Sequence, residues 1–399
     1  MLFGRSVGVE WSQSGRVHGL LRATLMRPAA GLQGITLKVG DQSHPVDLSA
    51  LPADATQVPV NIHTHLLGSG AVKLELQVQA DDGKASSGSH AFEVANEGAL
   101  AERVRETLRR GKVPLAFAGP CDAGRYDYAD PSLQPWFDRP DAEAHITNLQ
   151  ETGRVDAGEA ELLRGFVRDG FLAVPEALPE DLVARAQADI AKAVDEGYQG
   201  YQWGESTRLE QMHATFPAIR EIWLLPRIHR LLGLLFDEQS QPCQSLVYVF
   251  GSQQDAHQDT IHLTPFPAGY MCGVWVALED VQPGSGELVV YPGSHRLPRV
   301  YLKDTGCPKV QGDWSTFGES VVKRWGELIA GSGIQPQPYV PKAGSVLIWH
   351  ENLMHAGSVR RDKSLSRRSI VTHNFARGSL VYYDSTGLAG YTYDRTQIA

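Results

Sequence analysis

The sequence predicts an α+β fold in which a small N-terminal β-sandwich precedes a second domain built on a β-barrel or jelly roll. Three observations lead there: apolar residues at every second position over the first hundred residues, amphipathic helical patterns after residue 157, and many short apolar runs from Leu246 onward. Helices followed by many short strands are typical of an α+β domain. The chain has 399 residues, enough for two or three separate cores.

The β-sandwich is predicted for residues 1–98. Apolar residues at every second position, such as Leu74 and Leu76, are separated by turns rich in Gly, Asp and Pro. One of these strands carries His63 and His65, which are spaced two apart like metal ligands. Because no third ligand is obvious nearby, we expect both to be exposed strand residues.

Residues 99–156 are expected to form an ordered connector. Gly and Pro are so frequent between positions 119 and 140 that a long helix or central strand cannot form there. We expect the aromatic side chains of this segment to pack on a neighbouring domain rather than to contact a ligand; they are Tyr126, Tyr128, Trp136 and Phe137.

Residues 157–399 are predicted to form the second domain. Pro179 begins a helix whose apolar residues share one face and which ends at Gly197. Strand patterns follow at residues 246–250, 271–278, 287–291, 345–349 and 369–375. Between them, residues 311–335 have no clear strand pattern, and we expect this long insertion to be a lid over a pocket.

Composition and charge argue against several classes of function. A formal net charge of −9 disfavours binding to nucleic acid or to an anionic membrane. No uncharged apolar stretch approaches the length of a membrane span, and the first residues lack a signal-peptide pattern. The four cysteines, Cys121, Cys243, Cys272 and Cys307, lie too far apart for a zinc ribbon, and a disulfide framework is not expected. We therefore expect a cytoplasmic protein, and the sequence leaves its oligomeric state open.

The segment His257-Gln258-Asp259 carries the chemistry. On an extended backbone residues i and i+2 point to the same side, so His257 and Asp259 can bind one metal ion together. A third ligand must come from elsewhere, and His355, just after the strand at 345–349, is the candidate. Two histidines and one carboxylate leave about half of an octahedral coordination sphere free, which is typical of non-haem Fe(II) oxygenases.

Arg367 adds a second element to this pattern. It follows His355 by 12 residues and begins the last predicted strand. A guanidinium can make a planar, two-pronged bond to the far carboxylate of a dicarboxylic cosubstrate. A metal-dependent hydrolase or isomerase on a similar barrel would have no use for such a group.

The sequence resembles the phytanoyl-CoA dioxygenase-like (PhyH) family of Fe(II)/2-oxoglutarate-dependent oxygenases. The resemblance covers roughly residues 157–380 and does not include the N-terminal region. Its motifs occur in order at suitable distances, and they are 166–175 (FVRDGFLAVP), 257–260 (HQDT), 271–280 (MCGVWVALED), 284–295 (GSGELVVYPGSH), 342–350 (KAGSVLIWH) and the closing pair His355 and Arg367.

This resemblance implies a double-stranded β-helix, or jelly roll, with iron at its open mouth. It also implies that His257, Asp259 and His355 ligate the metal at the catalytic centre. The implied cofactors are Fe(II), the cosubstrate 2-oxoglutarate and O₂. The family often has Gly-Ser directly after the second histidine ligand, whereas Ala356 intervenes here, and a contact from the Ser358 hydroxyl to the cosubstrate is left open.

The resemblance further implies that Arg367 binds the far carboxylate of 2-oxoglutarate. Arg368 is the alternative if the strand register is shifted by one residue. Trp275 matches a family position near the cosubstrate, and packing inside the barrel is the other interpretation of this residue. His262, five residues after the first ligand, is a candidate for substrate contact at the barrel mouth.

The implied reaction is hydroxylation of an unactivated C–H bond in a small-molecule, glycan or carrier-bound substrate, with release of succinate and CO₂. Related halogenases replace the carboxylate ligand with a small residue, so the presence of Asp259 favours hydroxylation, desaturation or ring closure over halogenation. The alternative is a catalytically inactive protein on the same scaffold that binds a glycan or a partner. In that case we would expect at least one of the four site residues to be missing.

Overall fold

The computed structural model describes residues 8–395. The residues outside this range include the first seven, on which the signal-peptide expectation partly depends. The N-terminal strands are β1 (Glu10–Trp11), β2 (Gly15–Val17), β3 (Leu20–Met26), β4 (Leu32–Val39), β5 (Gln42–Pro45), β6 (Gln57–His63), β7 (Gly70–Ala80) and β8 (Ala85–Val94). After helix α1 (Ala99–Arg110), strand β9 (Ala116–Ala118) joins them.

These strands form two sheets around one hydrophobic core. The strand orders are β1-β3-β6-β9 and β2-β8-β7-β4-β5. Leu21 and Val60 from the first sheet share a buried cluster with Leu37 and Leu76 from the second. Each side chain of this size contributes about 1.5–3 kcal/mol when it is fully buried. The alternating apolar residues of the sequence therefore line the space between the sheets.

The prediction that His63 and His65 are exposed is wrong, because both are fully buried. His63 hydrogen bonds through Nδ1 to the Pro114 carbonyl at 2.8 Å and through Nε2 to the Tyr126 hydroxyl at 2.9 Å. His65 Nε2 donates to the carbonyl of Gly378 at 2.7 Å. The chain at the end of β6 lies against the connector and the C-terminal strands, and these hydrogen bonds offset the cost of burying polar rings.

The connector consists of short helical turns followed by α2 (Ala142–Glu151), with α3 (Ala157–Asp169) after it. Its aromatic residues pack on the second domain, which confirms the expectation from sequence. The Tyr126 ring stacks on Phe266 with centroids 4.9 Å apart, and the Tyr128 hydroxyl donates to the Pro265 carbonyl. Trp136 and Phe137 belong to the same hydrophobic cluster.

A buried ionic cluster also ties the connector to the second domain. Asp138 Oδ2 lies 3.3 Å from His350 Nε2 and 3.4 Å from Arg299 Nη2. Arg299 Nε donates to Glu351 Oε1 at 3.0 Å. Burial alone would raise the pKa of Asp138, but His350 and Arg299 outweigh it and hold that pKa below its ordinary value. Burying these groups is favourable only when they are close to one another. We refer to Asp138, Arg299, His350 and Glu351 as the connector cluster.

The second domain combines one large and two small sheets with flanking helices. Its helices are α4 (Glu180–Asp195), α5 (Pro217–Trp223), α6 (Pro226–Phe236), α7 (Ser315–Phe317) and α8 (Lys323–Ser332). Its strands are β10 (Phe171–Val174), β11 (Leu209–Glu210), β12 (Ser240–Tyr248), β13 (Thr264–Phe266), β14 (Met271–Ala277), β15 (Leu288–Val290), β16 (Gln337–Tyr339), β17 (Val346–His350), β18 (His355–Gly357), β19 (Ser369–Ala376), β20 (Leu380–Tyr383) and β21 (Leu388–Ala389).

The large sheet has the order β10-β17-β14-β19-β12-β11, and the small sheets are β16-β15-β18 and β13-β20-β21. Strand β14 lies near the centre of the large sheet and is buried along its whole length. Gly273 in β14 is required there, because a Cβ at this position would lie 2.1 Å from the ring of Trp349 on β17. The absence of a side chain thus makes room for an indole that faces the site described below.

The insertion at 311–335 is largely helical. Helices α7 and α8 are joined by a π-helical turn at Gly318–Val322, so residues 315–332 form one irregular helix. Across residues 8–395 no helix has both the length and the apolar character needed to cross a membrane. All four cysteines are free and buried.

Candidate metal centre and its cavity

Two chain segments that are distant in sequence bring the three predicted ligands together. His257 and His355 form an isolated antiparallel bridge, in which the amide of each donates to the carbonyl of the other at 3.0 and 3.1 Å. Asp259 begins a short turn, and its amide donates to the Glu351 carbonyl at 3.0 Å. One potential ligand atom from each of His257, Asp259 and His355 lies within 4.8 Å of the other two.

The hydrogen bonds of the two imidazoles determine which nitrogens are free. Nδ1 of His257 donates to the Asp255 carbonyl at 2.7 Å, and Nδ1 of His355 donates to the Leu353 carbonyl at 3.0 Å. Because a carbonyl only accepts, each neutral ring has its lone pair on Nε2. These Nε2 atoms lie 3.7 and 3.8 Å from Asp259 Oδ1. Two lone pairs and one carboxylate oxygen therefore face the same point.

The second oxygen of Asp259 is held by other groups. Trp349 Nε1 donates to Oδ2 at 2.8 Å, and His373 Nε2 lies 3.5 Å from the same oxygen. Gln244 Nε2 in turn donates to His373 Nδ1 at 2.9 Å, so the hydrogen of that ring is on Nε2. The carboxylate is thus held in one orientation, with Oδ1 directed toward the histidine ligands.

Sequence reasoning missed these supporting donors. Neither His373 nor Trp349 is identified above as a partner of the ligands. A signal was present in the strand pattern, because Trp349 and His373 both pair with Gly273, from opposite sides. A glycine in the middle of an apolar strand indicates a close approach by a neighbouring group.

The electrostatics favour the protonation states that a metal needs. Burial, with the neighbouring His355, lowers the pKa of His257 to about 4, although Asp259 opposes the shift. Burial alone would raise the pKa of Asp259, but His355, His373 and His257 outweigh it and hold the pKa well below its ordinary value. At neutral pH the His257 ring is neutral and the Asp259 carboxylate is ionised, which is the state in which these groups ligate metals.

Arg367 lines the same cavity and has no acidic partner there. It is only 2% exposed, and no carboxylate of residues 8–395 lies within 4 Å of its guanidinium. Nη1 donates to the Ser369 hydroxyl at 3.0 Å, whereas Nε is buried without an acceptor. Burial lowers the pKa of Arg367 to about 10, so the group stays charged at neutral pH. A buried, unpaired guanidinium is costly and indicates a site for an anion.

Arg368 points away from this cavity. Its Nη1 donates to Glu279 Oε2 at 3.0 Å, and its side chain is partly exposed. Neighbouring residues of a strand project to opposite faces, so only one of the two arginines can enter the cavity. The structure places Arg367 inside and Arg368 outside.

The remaining sequence candidates are distributed around the cavity. The Trp275 indole is buried in the lining, 5.5 Å from the Arg367 guanidinium, and its Nε1 has no acceptor in the described chain. His262 also lines the cavity, among aromatic rings. Ser358 does not reach it, because the Ser358 hydroxyl donates to Glu287 Oε2 at 2.6 Å.

The cavity itself has a volume of about 940 Å³. The metal-facing residues and Arg367 line its inner part, and side chains of the 311–335 insertion cover one wall. Gln258, between the two first ligands in sequence, points the other way, and its Oε1 accepts a hydrogen bond from Trp325 Nε1 at 3.1 Å. The insertion is therefore attached to the same segment that carries the ligands.

Comparison with known proteins supports the resemblance. Residues 166–369 match the family described as phytanoyl-CoA dioxygenase (PhyH). "Phytanoyl-CoA dioxygenase domain-containing protein 1" from Mus musculus is 34% identical over 167 residues, which are 41% of this chain and 54% of that protein. A "probable phytanoyl-CoA dioxygenase" from Caenorhabditis elegans is 26% identical and covers 33% of this chain and 39% of that protein. The chain thus spans about half the length, or less, of the curated relatives it matches.

Among solved structures, this chain matches the "non-heme alpha ketoglutarate dependent carbocyclase SnoK from nogalamycin biosynthesis", at 17% identity and a TM-score of 0.46, covering 56% of this chain and 85% of that one. EctD from S. alaskensis is 19% identical with a TM-score of 0.44, covering 59% of this chain and 84% of that one. Fe(II), 2-oxoglutarate and O₂ are the cofactors of phytanoyl-CoA dioxygenase-family enzymes, as predicted. The match to residues 166–369, just over half of the chain, shows that this protein belongs to the phytanoyl-CoA dioxygenase family.

Proposed function

We propose that this protein is an Fe(II)/2-oxoglutarate-dependent dioxygenase that hydroxylates an unactivated C–H bond and releases succinate and CO₂. Its substrate class is a small molecule, a glycan or a carrier-bound group. The observation that carries this proposal is the combination, in one cavity, of a two-histidine, one-carboxylate cluster with a buried guanidinium that has no acidic partner among residues 8–395. A hydrolase or an inactive scaffold gives no reason to keep that guanidinium unpaired.

The donor set suits ferrous iron. His257 Nε2, His355 Nε2 and Asp259 Oδ1 would be the three protein ligands, and two neutral imidazoles with one carboxylate are typical of non-haem Fe(II) sites with open positions. The Trp349 indole holds Asp259 Oδ2 and disfavours its use as a fourth ligand atom. The protein thereby keeps positions free for a chelating cosubstrate and for O₂.

The residues around Arg367 suit a dicarboxylate. We propose that Arg367 binds the far carboxylate of 2-oxoglutarate, with Ser369 orienting Nη1 and with Trp275 and Tyr248 covering the guanidinium. Charge-assisted bonds of this kind are strongest where water is excluded, and Arg367 is almost completely buried. Arg368 is not required, because its charge is already satisfied by Glu279.

When bound, Fe(II) together with 2-oxoglutarate and O₂ would supply the oxidising chemistry that cleaves a C–H bond. The chain's own contribution is positioning. Trp349 and His373 keep the Asp259 carboxylate in one orientation, and the backbone carbonyls of Asp255 and Leu353 keep the ligand rings in theirs. Rings of the insertion pack on one another in the cavity lining and would reduce the access of water.

The test is an anaerobic titration of the metal-free protein with Fe(II) in the presence of 2-oxoglutarate. We expect a visible charge-transfer band at one equivalent of iron, and we expect His257→Ala and Asp259→Ala to abolish it. His63→Gln is the matched control, since it alters a buried histidine outside the cavity. A wild-type protein that binds neither iron nor 2-oxoglutarate would overturn the proposal.

We also propose that the three parts of the chain have the boundaries predicted from sequence. Residues 1–98 would be a β-sandwich domain, 99–156 a connector, and 157–399 a double-stranded β-helix, or jelly roll, that carries the site. Two sheets around one core support the first, although strand β9 extends one of these sheets into the connector. Buried clusters that join the large sheet to each small sheet of the second domain support the last. The cytoplasmic location stays a prediction.

A further inference from the structure

The cavity extends well beyond what a five-carbon dicarboxylate needs, so its outer walls must accommodate the primary substrate. The inner part contains the metal-facing residues and Arg367. The outer part has two chemically different walls, one aromatic and one made of amide and hydroxyl groups. Pockets use such sparse polar groups to orient a ligand whose apolar parts contact the rest of the lining.

The aromatic wall is formed by the insertion and His262. Phe317 contacts His262, Trp314 and Trp325 with ring centroids 5.2, 5.2 and 5.8 Å apart. Trp314 at the mouth is 46% exposed, which is unusual for so large an apolar side chain. Burial, with a smaller effect of His257, lowers the pKa of His262 to about 4, so the wall is uncharged at neutral pH.

The polar wall consists of neutral groups. Ser252, Gln253, Gln254, Ser385 and Thr386 all line the cavity, and the Ser385 hydroxyl lies 3.3 Å from His262 Nδ1, where the polar groups meet the aromatic ones. The Thr386 hydroxyl oxygen has no hydrogen-bond partner in the described chain. Amides and hydroxyls both donate and accept, and they therefore match the hydroxyl groups of a ligand without selecting for its charge.

Free positive charge is absent from the outer cavity. Arg208 and Arg367 are the cations in the lining over the part of the chain that the structure describes. Arg208 Nη2 lies 2.8 Å from Glu210 Oε1, and Arg367 is at the inner end. Asp255 adds a negative charge at the rim. A phosphate-bearing substrate would find no unpaired cation there, and the net charge of −9 would slow its approach.

We propose that the primary substrate is an uncharged, hydroxyl-bearing ring, that is, a neutral sugar unit, and not a coenzyme A thioester. One apolar face of the ring would lie on Trp314 and Phe317, as C–H groups pack on aromatic faces. Its hydroxyls would bind the neutral amide and hydroxyl groups of the same lining. This inference rests on the proposed oxygenase function, since it assigns the substrate of the same site.

The test measures succinate release by the full-length protein with Fe(II), 2-oxoglutarate and air. One arm contains a panel of neutral methyl glycosides and oligosaccharides, and the other contains free coenzyme A and a long-chain acyl-CoA. We expect at least one neutral sugar to raise succinate release several-fold, and neither coenzyme A compound to do so. Stimulation by coenzyme A compounds, or no stimulation by any sugar, would overturn the inference.

Two variants test whether the aromatic wall binds the sugar. Trp314→Ala should raise the KM for the sugar about fivefold, because the variant loses one aromatic contact with the sugar ring, and it should leave the KM for 2-oxoglutarate unchanged. Trp203→Ala is the matched control, since Trp203 is 61% exposed and lies outside the cavity. An equal effect of both substitutions would contradict the assignment.

The same samples separate this inference from the proposed function. The anaerobic charge-transfer band depends on iron and 2-oxoglutarate and not on the primary substrate. A protein that shows the band but responds to acyl-CoA keeps the oxygenase function and loses the sugar assignment. A protein that shows no band loses both.

Discussion

Two pairs of residues with the same i, i+2 spacing, His63 with His65 and His257 with Asp259, have opposite roles in this molecule. In the N-terminal pair, three ring nitrogens are hydrogen bonded to carbonyl and phenol groups of the protein. In the second pair, the histidine uses only Nδ1 in this way, and its Nε2 faces a carboxylate and a second imidazole across a cavity. Spacing shows that two side chains are close enough to share a ligand. Whether they bind one depends on which ring nitrogens are already hydrogen bonded within the protein.

The largest expected effect tests this contrast directly. His257→Ala should weaken Fe(II) binding by more than the roughly 10–100-fold that is lost when only an outer partner of a metal ligand is removed. His65→Gln should leave Fe(II) affinity unchanged, because His65 is bonded within the fold. Anaerobic calorimetric titration of both folded variants measures their Fe(II) affinity. An equal loss of affinity in both would contradict the different roles of the two pairs.

The second prediction compares two adjacent arginines. Arg367→Met should raise the KM for 2-oxoglutarate roughly 100-fold, because removing one partner of a buried, hydrogen-bonded charge pair costs about 2–5 kcal/mol. Arg368→Met should leave this KM unchanged, since Arg368 pairs with Glu279 near the surface. Steady-state kinetics with varied 2-oxoglutarate measures both, and a larger effect at Arg368 would show that the strand register is misassigned.

The third prediction concerns acid stability at the N-terminal pair. Burial lowers the pKa of His63 from 6.5 to about 4, so the unfolded chain binds the extra proton first and stability falls as the pH drops through this window. The loss from His63 amounts to roughly 3 kcal/mol when the window has been crossed. Urea unfolding at pH 7.5 and 4.5 should show a smaller pH dependence for His63→Gln than for the wild type. An unchanged pH dependence would mean that His63 does not titrate in this range.

The smallest expected effect concerns the hydrogen bond that orients the Asp259 carboxylate. Trp349→Phe removes the shorter of the two contacts to Asp259 Oδ2, leaves that of His373, and should lower metal affinity roughly 10–100-fold, as expected for the outer partner of a ligand. The absorption spectrum of the Co(II)-loaded protein should also change, because a second carboxylate oxygen becomes available. Trp325→Phe, which removes a bond to Gln258 instead, is the matched control and should preserve the spectrum.

The metal-facing residues could be predicted from sequence because their pattern is local. The His257–Asp259 spacing and the nearby family motifs define one half of the site. The apolar period of the first hundred residues likewise predicts strands that the structure contains. In each case the information lies within a few consecutive residues. The choice between Arg367 and Arg368 stays open in the sequence, because it depends on the strand register.

What could not be predicted depends on contacts between distant segments. The burial of His65 requires the carbonyl of Gly378, which is 313 residues away in sequence. The donors to Asp259 Oδ2 come from Trp349 and His373 on two further strands. No pattern within a single segment indicates such neighbours. For this reason the sequence predicts that His63 and His65 are exposed, whereas both are buried.

The connector cluster has a practical consequence for dividing the protein. The family match begins at residue 166, which suggests a fragment that starts just before it. Such a fragment would lack Asp138, so Arg299 would keep only Glu351 as its acidic neighbour. The apolar surfaces on which Tyr126 and Phe137 pack would also be exposed to solvent. The smallest piece that can fold independently with an intact site should therefore begin ahead of α1, with the connector treated as structural support of the enzyme and not as a tether.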